Sequence, residues 1–244
     1  MPLLSILADG LLELAVPTRC AGCDLPGAVL CEKCARDLER IDPERACPRC
    51  GAPECARRCH ECKGRDFPFA TALSAVVFDG AAPRMVVLHK DGGERRLAAV
   101  MAGLIEEIAG DLAHDWADAV VGVPASPRAA ERRGYDHGAA LGAALAERLG
   151  VPPAAPLRCL TSRDQRTLGK AGRAANVGFT CSPPDTPRPG RQAPEFAELL
   201  LPARILLVDD VFTTGATTEA ATSALLAAGA REVRVVAFAR VLRQ

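Results

Sequence analysis

Neither sign of charge is in excess in this chain: 30 Lys and Arg balance 30 Asp and Glu, for a formal net charge of zero over 244 residues. A surface built wholly to grip nucleic acid needs an excess of cations, so that class is set aside and only a local patch stays open. Long apolar runs are also lacking. The stretch LLSILADGLLELAVP near the start carries Asp9 and Glu13 and has no basic leader. A secretory signal needs a positive start and an uninterrupted apolar core, and a membrane span needs roughly 20 apolar residues. The stretch meets neither requirement and reads as an amphipathic helix over 1–17. With no other segment close to a span, the chain reads as a cytoplasmic protein without a membrane span. The nucleotide-triphosphate signature G-x-x-x-x-G-K-(S/T) is missing as well, which excludes a P-loop.

Cysteine is present in number but unevenly spread. Nine of the eleven cysteines lie between Cys20 and Cys62, and eight of them form C-x-x-C pairs: Cys20/Cys23, Cys31/Cys34, Cys47/Cys50 and Cys59/Cys62. A reducing compartment disfavours disulfides. Two sulfurs at this spacing grip one side of a tetrahedral ion and a second pair closes the shell, so four pairs predict two structural zinc ions. So small a segment also lacks the apolar residues for its own core, a deficit that metal binding fills. Sequential and interleaved pairings of the four knuckles are both open. Cys55 and His60 stand outside the shell. Between Arg19 and Asp66 ten basic residues face nine acidic ones, a balance of +1. Eight thiolates around two divalent ions turn that into about −3. The balance favours a structural or docking ribbon over a nucleic-acid grip, with Arg45/Arg49 and Arg57/Arg58 as local basic clusters.

Beyond Lys63-Gly64-Arg65 the composition changes, so a zinc-ribbon-like module at 18–66 is followed by a larger domain at 67–244. Apolar runs predict strands at Ala72–Phe78, Asp118–Val123, Arg204–Val208 and Glu232–Ala239. Helical patterns lie at Ala98–Leu112, Asp136–Leu149 and Thr217–Ala228, with a Pro- and Arg-rich loop after the second strand. Such alternation predicts an α/β fold, a mostly parallel sheet with helices on both faces, which binds ligands at the carboxyl ends of its strands. The segment from Pro152 to Pro202 has little apolar periodicity. It reads as irregular chain, with a solvated linker at Ser182–Pro194 and a mobile active-site flap at Arg163–Asn176.

The stretch ILLVDDVFTTGAT, Ile205 to Thr217, concentrates the chemistry. Asp209 and Asp210 are expected to emerge at the end of a buried strand with their side chains on opposite sides. Thr213, Thr214, Gly215, Ala216 and Thr217 then turn the chain into a helix. Successive N–H groups in such a turn make a concave anion site, backed by the helix N-terminus, and Gly215 admits close approach. Carboxylates for hydroxyls and amides for phosphate together fit a sugar phosphate. An Asp or Thr helix cap alone explains one residue here, not the whole run.

VDDVFTTGAT resembles the phosphoribosyl-pyrophosphate (PRPP) loop of type I phosphoribosyltransferases. The chain as a whole is similar to the ComF family, competence-associated proteins that join cysteine-rich ribbons to a phosphoribosyltransferase-like domain. The resemblance also rests on the C-x-x-C pairs, on HKDGG, and on VPASPRAAERRGYDH. The last matches the family's V-P, basic stretch and R-G-(F/Y)-(N/D)-Q, with His137 in place of Gln. It implies that Asp209 and Asp210 take the ribose hydroxyls and that Thr213, Thr214, Gly215, Ala216 and Thr217 take the 5′-phosphate. Ser126 and Arg128, with Arg132 and Arg133 nearby, would face pyrophosphate, and Arg128 and Lys90 would stabilise it as leaving group. Magnesium would accompany PRPP. The acceptor is not legible: Tyr135 and Phe179 have rings that could stack on a base, but ordinary packing is the simpler reading of both. Two alternatives stand beside an enzyme. One is an accessory protein that handles single-stranded DNA beside a competence helicase or recombination proteins. The other is a regulator that senses PRPP without turnover.

Overall fold

Short aliphatic runs build the sheet in this computed structural model, which describes residues 17–55, 59–160, 178–181 and 201–242. The strands are β1 (Ala72–Val77), β2 (Ala119–Gly122), β3 (Pro153–Ala154), β4 (Leu157–Cys159), β5 (Phe179–Cys181), β6 (Arg204–Phe212) and β7 (Glu232–Arg240). The helices are α1 (Glu32–Arg36), α2 (Ala82–Lys90), α3 (Leu97–Ala113), α4 (Pro127–Arg133), α5 (His137–Leu149) and α6 (Ala216–Ala227). Five strands form one parallel sheet in the order β1-β7-β6-β2-β3, and β4 pairs antiparallel with β5 apart from it.

The pleat of β6 sorts two cores. Leu206 and Val208 point into one with Met101 and Ile105 of α3 and Leu141 and Leu145 of α5. Ile205 and Leu207 point into the other with Ala221 and Leu225 of α6 and Leu157 of β4. Burying each such side chain is worth roughly 1.5–3 kcal/mol, more than the net gain from a strand hydrogen bond. The helices therefore cover both faces, as the alternation of elements predicts.

α5 lies unusually close to β2. A Cβ added at Gly122 would sit 2.0 Å from the Gly138 carbonyl oxygen, and one at Gly138 would sit 1.8 Å from that of Val123. Only glycine allows this approach, which brings the start of α5 over the end of β6. Gly138→Ala is expected to cost about 1–3 kcal/mol, because backbone rather than a flexible side chain must give way. Urea denaturation should show a lower midpoint with an unchanged slope; a wild-type midpoint would contradict the packing.

The cysteine-rich module docks on the sheet. Its residues 39–41 run antiparallel to β1, with the Ile41 N–H donating to Ala75 O at 3.0 Å and the Val77 N–H to Glu39 O at 2.8 Å. An edge strand that would otherwise offer free backbone groups is thereby covered.

Several elements differ from the sequence reading. β6 does not stop at Val208: Asp209 and Val211 keep their parallel partners Ala237 and Ala239, so both aspartates lie within the strand. α2 was not anticipated, since its nine residues carry only Ala82, Met85, Val86 and His89 as buried positions. The Pro- and Arg-rich loop is helix α4. Ser126 caps it, Pro127 occupies its first turn, and Gly134 ends it at φ 72°. Within the segment taken as irregular lie β3, β4 and β5. The helix expected over 1–17 lies outside the described residues except for residue 17. Arg57, Arg58, the flap at Arg163–Asn176 and the linker at Ser182–Pro194 lie wholly outside them. Among the described residues, no helix is long and apolar enough to cross a membrane.

Candidate functional site

Asp210 shares the β6 face of Leu206 and Val208, and so points toward α2 and α5. It is 4% exposed. Lys90, the last residue of α2, brings Nζ within 2.8 Å of Asp210 Oδ1 and 2.7 Å of Oδ2. Burial opposes charge on both groups, but each supports the other: Lys90 is raised and Asp210 is lowered from their ordinary values. His137, the first residue of α5, places Nε2 3.6 Å from Asp210 Oδ2. Burial pushes the His137 pKa down to about 4 against the pull of Asp210, so the ring is neutral at pH 7. Arg133 Nη1 faces its Nδ1 at 3.4 Å, so Nδ1 accepts and the ring proton sits on Nε2, toward Asp210. A glutamine offers the same pair, a carbonyl acceptor and an amide donor.

Asp209 points to the opposite face and is half-buried. Burial and the adjacent Asp210 charge push its pKa up to about 7. Its Oδ1 accepts the Asp210 N–H at 2.9 Å. An acid raised in this way holds a proton in the native state that the unfolded chain releases near pH 4. Its contribution to stability therefore falls as pH rises from about 4 to about 7. Asp209→Asn is expected to flatten that part of the stability profile, measured as urea midpoints across the window. A decline as steep as the wild type's would contradict the assignment.

After β6 comes the loop. Gly215 adopts φ 80°, and a Cβ there would lie 2.8 Å from the Phe212 ring and 3.3 Å from that of Phe67. The left-handed turn and the ring contacts both require glycine. Thr213 is exposed, Thr214, Ala216 and Thr217 are half-buried, and Thr214 Oγ1 accepts the Ala216 N–H at 3.3 Å. α6 starts here, so its positive end lies at the loop that follows Asp209 and Asp210.

Beside this loop is the end of β2, where the Val123 N–H donates to Val208 O at 2.9 Å. Ser126 is engaged as the α4 cap, accepting from the Ala129 N–H at 3.4 Å. Arg128 is exposed in the first turn of that helix. Lys90, Asp91, Gly92, Gly93, Arg132, Arg133 and Tyr135 line a cleft of about 650 Å³ together with Val87. Arg133 Nε holds Asp91 at 2.9 Å, and the Arg95 guanidinium lies 4.7 Å over the Tyr135 ring. Phe179 instead packs into the core beneath α6. The carboxyl end of β6 thus gathers Lys90, His137 and Arg133 around Asp210 on one side, with Asp209 and the 213–217 loop on the other.

The cysteines resolve the pairing left open by their spacing. The sulfurs of Cys20, Cys23, Cys31 and Cys34 lie within 4.8 Å of one another, as do those of Cys47, Cys50, Cys59 and Cys62, so the knuckles pair in sequence. The sulfur separations are 3.8 Å for Cys23 and Cys31, 3.8 Å for Cys47 and Cys62, and 3.5 Å for Cys50 and Cys59. A tetrahedron with metal–sulfur bonds of about 2.3 Å has edges of about 3.8 Å, so both groups fit zinc. Burial works against the Cys20 thiolate, yet the N–H groups of Cys31, Cys23 and Gly22 bring its pKa down to about 6. Cys55 and His60 fall outside both groups.

Sequence reasoning missed Arg240. It is 2% exposed at the end of β7, pairs with Glu61 Oε2 at 2.7 Å, donates to the Cys50 carbonyl, and lies 4.9 Å over the Phe212 ring. The signal was available: a lone arginine closing the apolar strand VVAFA.

No family model matches the chain. It is 26% identical over 215 residues to the competence protein ComFC of Streptococcus pneumoniae, covering 86% of this chain and 87% of that one. It is 28% identical over 242 residues to the DNA utilization protein YhgH of Salmonella typhimurium, covering 94% and 100%. The chain is thus similar over nearly its whole length to both of these proteins, and it carries two four-cysteine clusters ahead of the parallel sheet.

Proposed function

We propose that the chain binds PRPP with magnesium at the carboxyl end of β6 and serves in DNA uptake. The observation that carries this reading is the division of labour between adjacent aspartates. Asp210 is locked on Lys90, whereas Asp209 is half-open beside a glycine-hinged loop and a helix N-terminus. Asp209 accepts from the ribose hydroxyls, and the amides and hydroxyls of Thr213, Thr214, Gly215, Ala216 and Thr217 hold the 5′-phosphate. Asp210 keeps the Lys90 ammonium aimed at the site. Lys90, Arg128, Arg132 and Arg133 supply the charge that pyrophosphate needs. Magnesium bound with PRPP would draw charge from the pyrophosphate oxygens and would need few protein ligands, with Asp209, once ionised, as a candidate among them. Transfer to an acceptor by way of an oxocarbenium-like centre calls for positioning and charge stabilisation, without a side-chain nucleophile.

A second reading rests on the relatives, one named for competence and the other for DNA utilization. In it the chain handles single-stranded DNA without catalysis, alongside a competence helicase or recombination proteins. Calorimetric titration of PRPP with magnesium into wild type and Asp209→Ala tests the first reading. Binding by the wild type and at least tenfold weaker binding by the variant are expected; equal affinities would sink it. Single-stranded DNA bound with a steep salt dependence and not displaced by PRPP would favour the second.

A further inference from the structure

The exit from the second cysteine cluster runs directly to the proposed phosphate loop. The Arg65 N–H donates to the carbonyl oxygen of Cys62 at 3.0 Å. Its own carbonyl accepts from Arg49 Nη2 at 2.9 Å, and Arg49 sits inside the Cys47/Cys50 knuckle and also pairs with Asp66 at 3.0 Å. Both knuckles of one cluster therefore hold the backbone of Arg65. Its side chain then crosses to the larger domain. One guanidinium nitrogen donates to the Thr214 carbonyl and the other pairs with Glu219 Oε2 at 3.0 Å, in the first turn of α6. The same guanidinium lies 4.4 Å over Phe67, whose ring backs Gly215. Arg240 gives the cluster a second tether, through Cys50 and Glu61 on one side and Phe212 on the other.

We propose that Arg65 is a positioning residue for the 213–217 loop, and that metal held by Cys47, Cys50, Cys59 and Cys62 sets the order of that loop and hence its hold on phosphate. By occupying the Thr214 carbonyl from behind, Arg65 leaves the loop's amides to face outward. Its pairing with Glu219 offsets a carboxylate in the first turn of α6 that would otherwise repel an anion. Four cysteines with almost no apolar core around them keep Arg65 in place only while they share a metal. Loss of that metal frees Arg65, and with it the loop. The effect on phosphate rests on the reading of this loop given above, whereas the coupling of cluster to loop does not.

Amide hydrogen exchange of residues 213–219 in the full chain, without ligand, separates the two. Arg65→Ala is expected to retain two zinc equivalents and wild-type exchange in the β6 and β7 amides, while exchange at 213–219 rises at least tenfold. Cys59→Ser, retaining one equivalent, should loosen the same residues, and PRPP with magnesium should bind at least fivefold more weakly to both variants. Wild-type exchange at 213–219 in Arg65→Ala with two zinc ions bound would overturn the coupling, even if the wild type binds PRPP. A wild type that fails to bind PRPP, beside an Arg65→Ala loop that loosens, would overturn the phosphate reading and support the coupling.

Discussion

Cys50→Ser is expected to bind one equivalent of zinc where the wild type binds two, and to melt at least 10 °C lower. Metal analysis of the purified proteins and a thermal scan at equal concentration check both. Around the second cluster the buried residues are three of its cysteines and Ala52, with Cys55, Cys59 and Phe67 partly buried against them, so metal supplies most of what holds this half of the module. Structural zinc contributes on the order of 10 kcal/mol of folding free energy, comparable to the whole stability of an ordinary domain. A melting temperature moves by roughly 2–4 °C per kcal/mol in a chain of this size, so even partial loss should be plain. The substitution also removes the sulfur that lies 3.7 Å from Arg240 Nη2. Two equivalents of bound zinc, or an unchanged melting temperature, would contradict the account of the cluster.

Lys90→Met is expected to destabilise the fold by about 3–5 kcal/mol at pH 8, because it leaves Asp210 charged, buried and without its cation. In the wild type, Asp210 is lowered by Lys90 and so adds stability above the unfolded carboxylate value near 4, stability that is lost as pH falls through the folded value. Without Lys90, burial raises the same carboxyl. The native state then holds a proton that the unfolded chain has released, and the penalty grows as pH rises above about 4. The gap between Lys90→Met and wild type in urea denaturation should accordingly be smaller at pH 5 than at pH 8. Adding Asp210→Asn to Lys90→Met should recover much of the loss. A gap equal at both pH values, without rescue by the double variant, would show that Lys90 acts by packing and not through Asp210.

Much of this arrangement was legible in the sequence because it rests on local chemistry. C-x-x-C spacing fixes which sulfurs share a knuckle, and β-branched runs mark β6 and β7. The D-D-x-x-T-T-G-x-T order marks the loop through Gly215, whose φ of 80° and ring contacts no other residue would satisfy. What escaped was long-range. Lys90 is 120 positions from Asp210, and nothing local shows that the ammonium ends on the second aspartate. His137 could be placed only once Gly122 and Gly138 brought α5 onto β2. Knuckle pairing stayed open for the same reason, since spacing binds sulfurs two at a time and the fold decides which pairs meet. Arg65 and Arg240 gain their roles only through tertiary contacts that set them between module and loop. The short helix α4 is a different case. Ser126, Pro127 and Gly134 are start and stop signals that the Pro- and Arg-rich composition obscured.

A crystal structure of the chain grown with PRPP and magnesium tests the central claim most directly. The account predicts the 5′-phosphate on the amides of Thr214 to Thr217, ribose hydroxyls on Asp209, and pyrophosphate toward Lys90 and Arg128. PRPP bound elsewhere, or a loop left empty at saturating ligand, would contradict it.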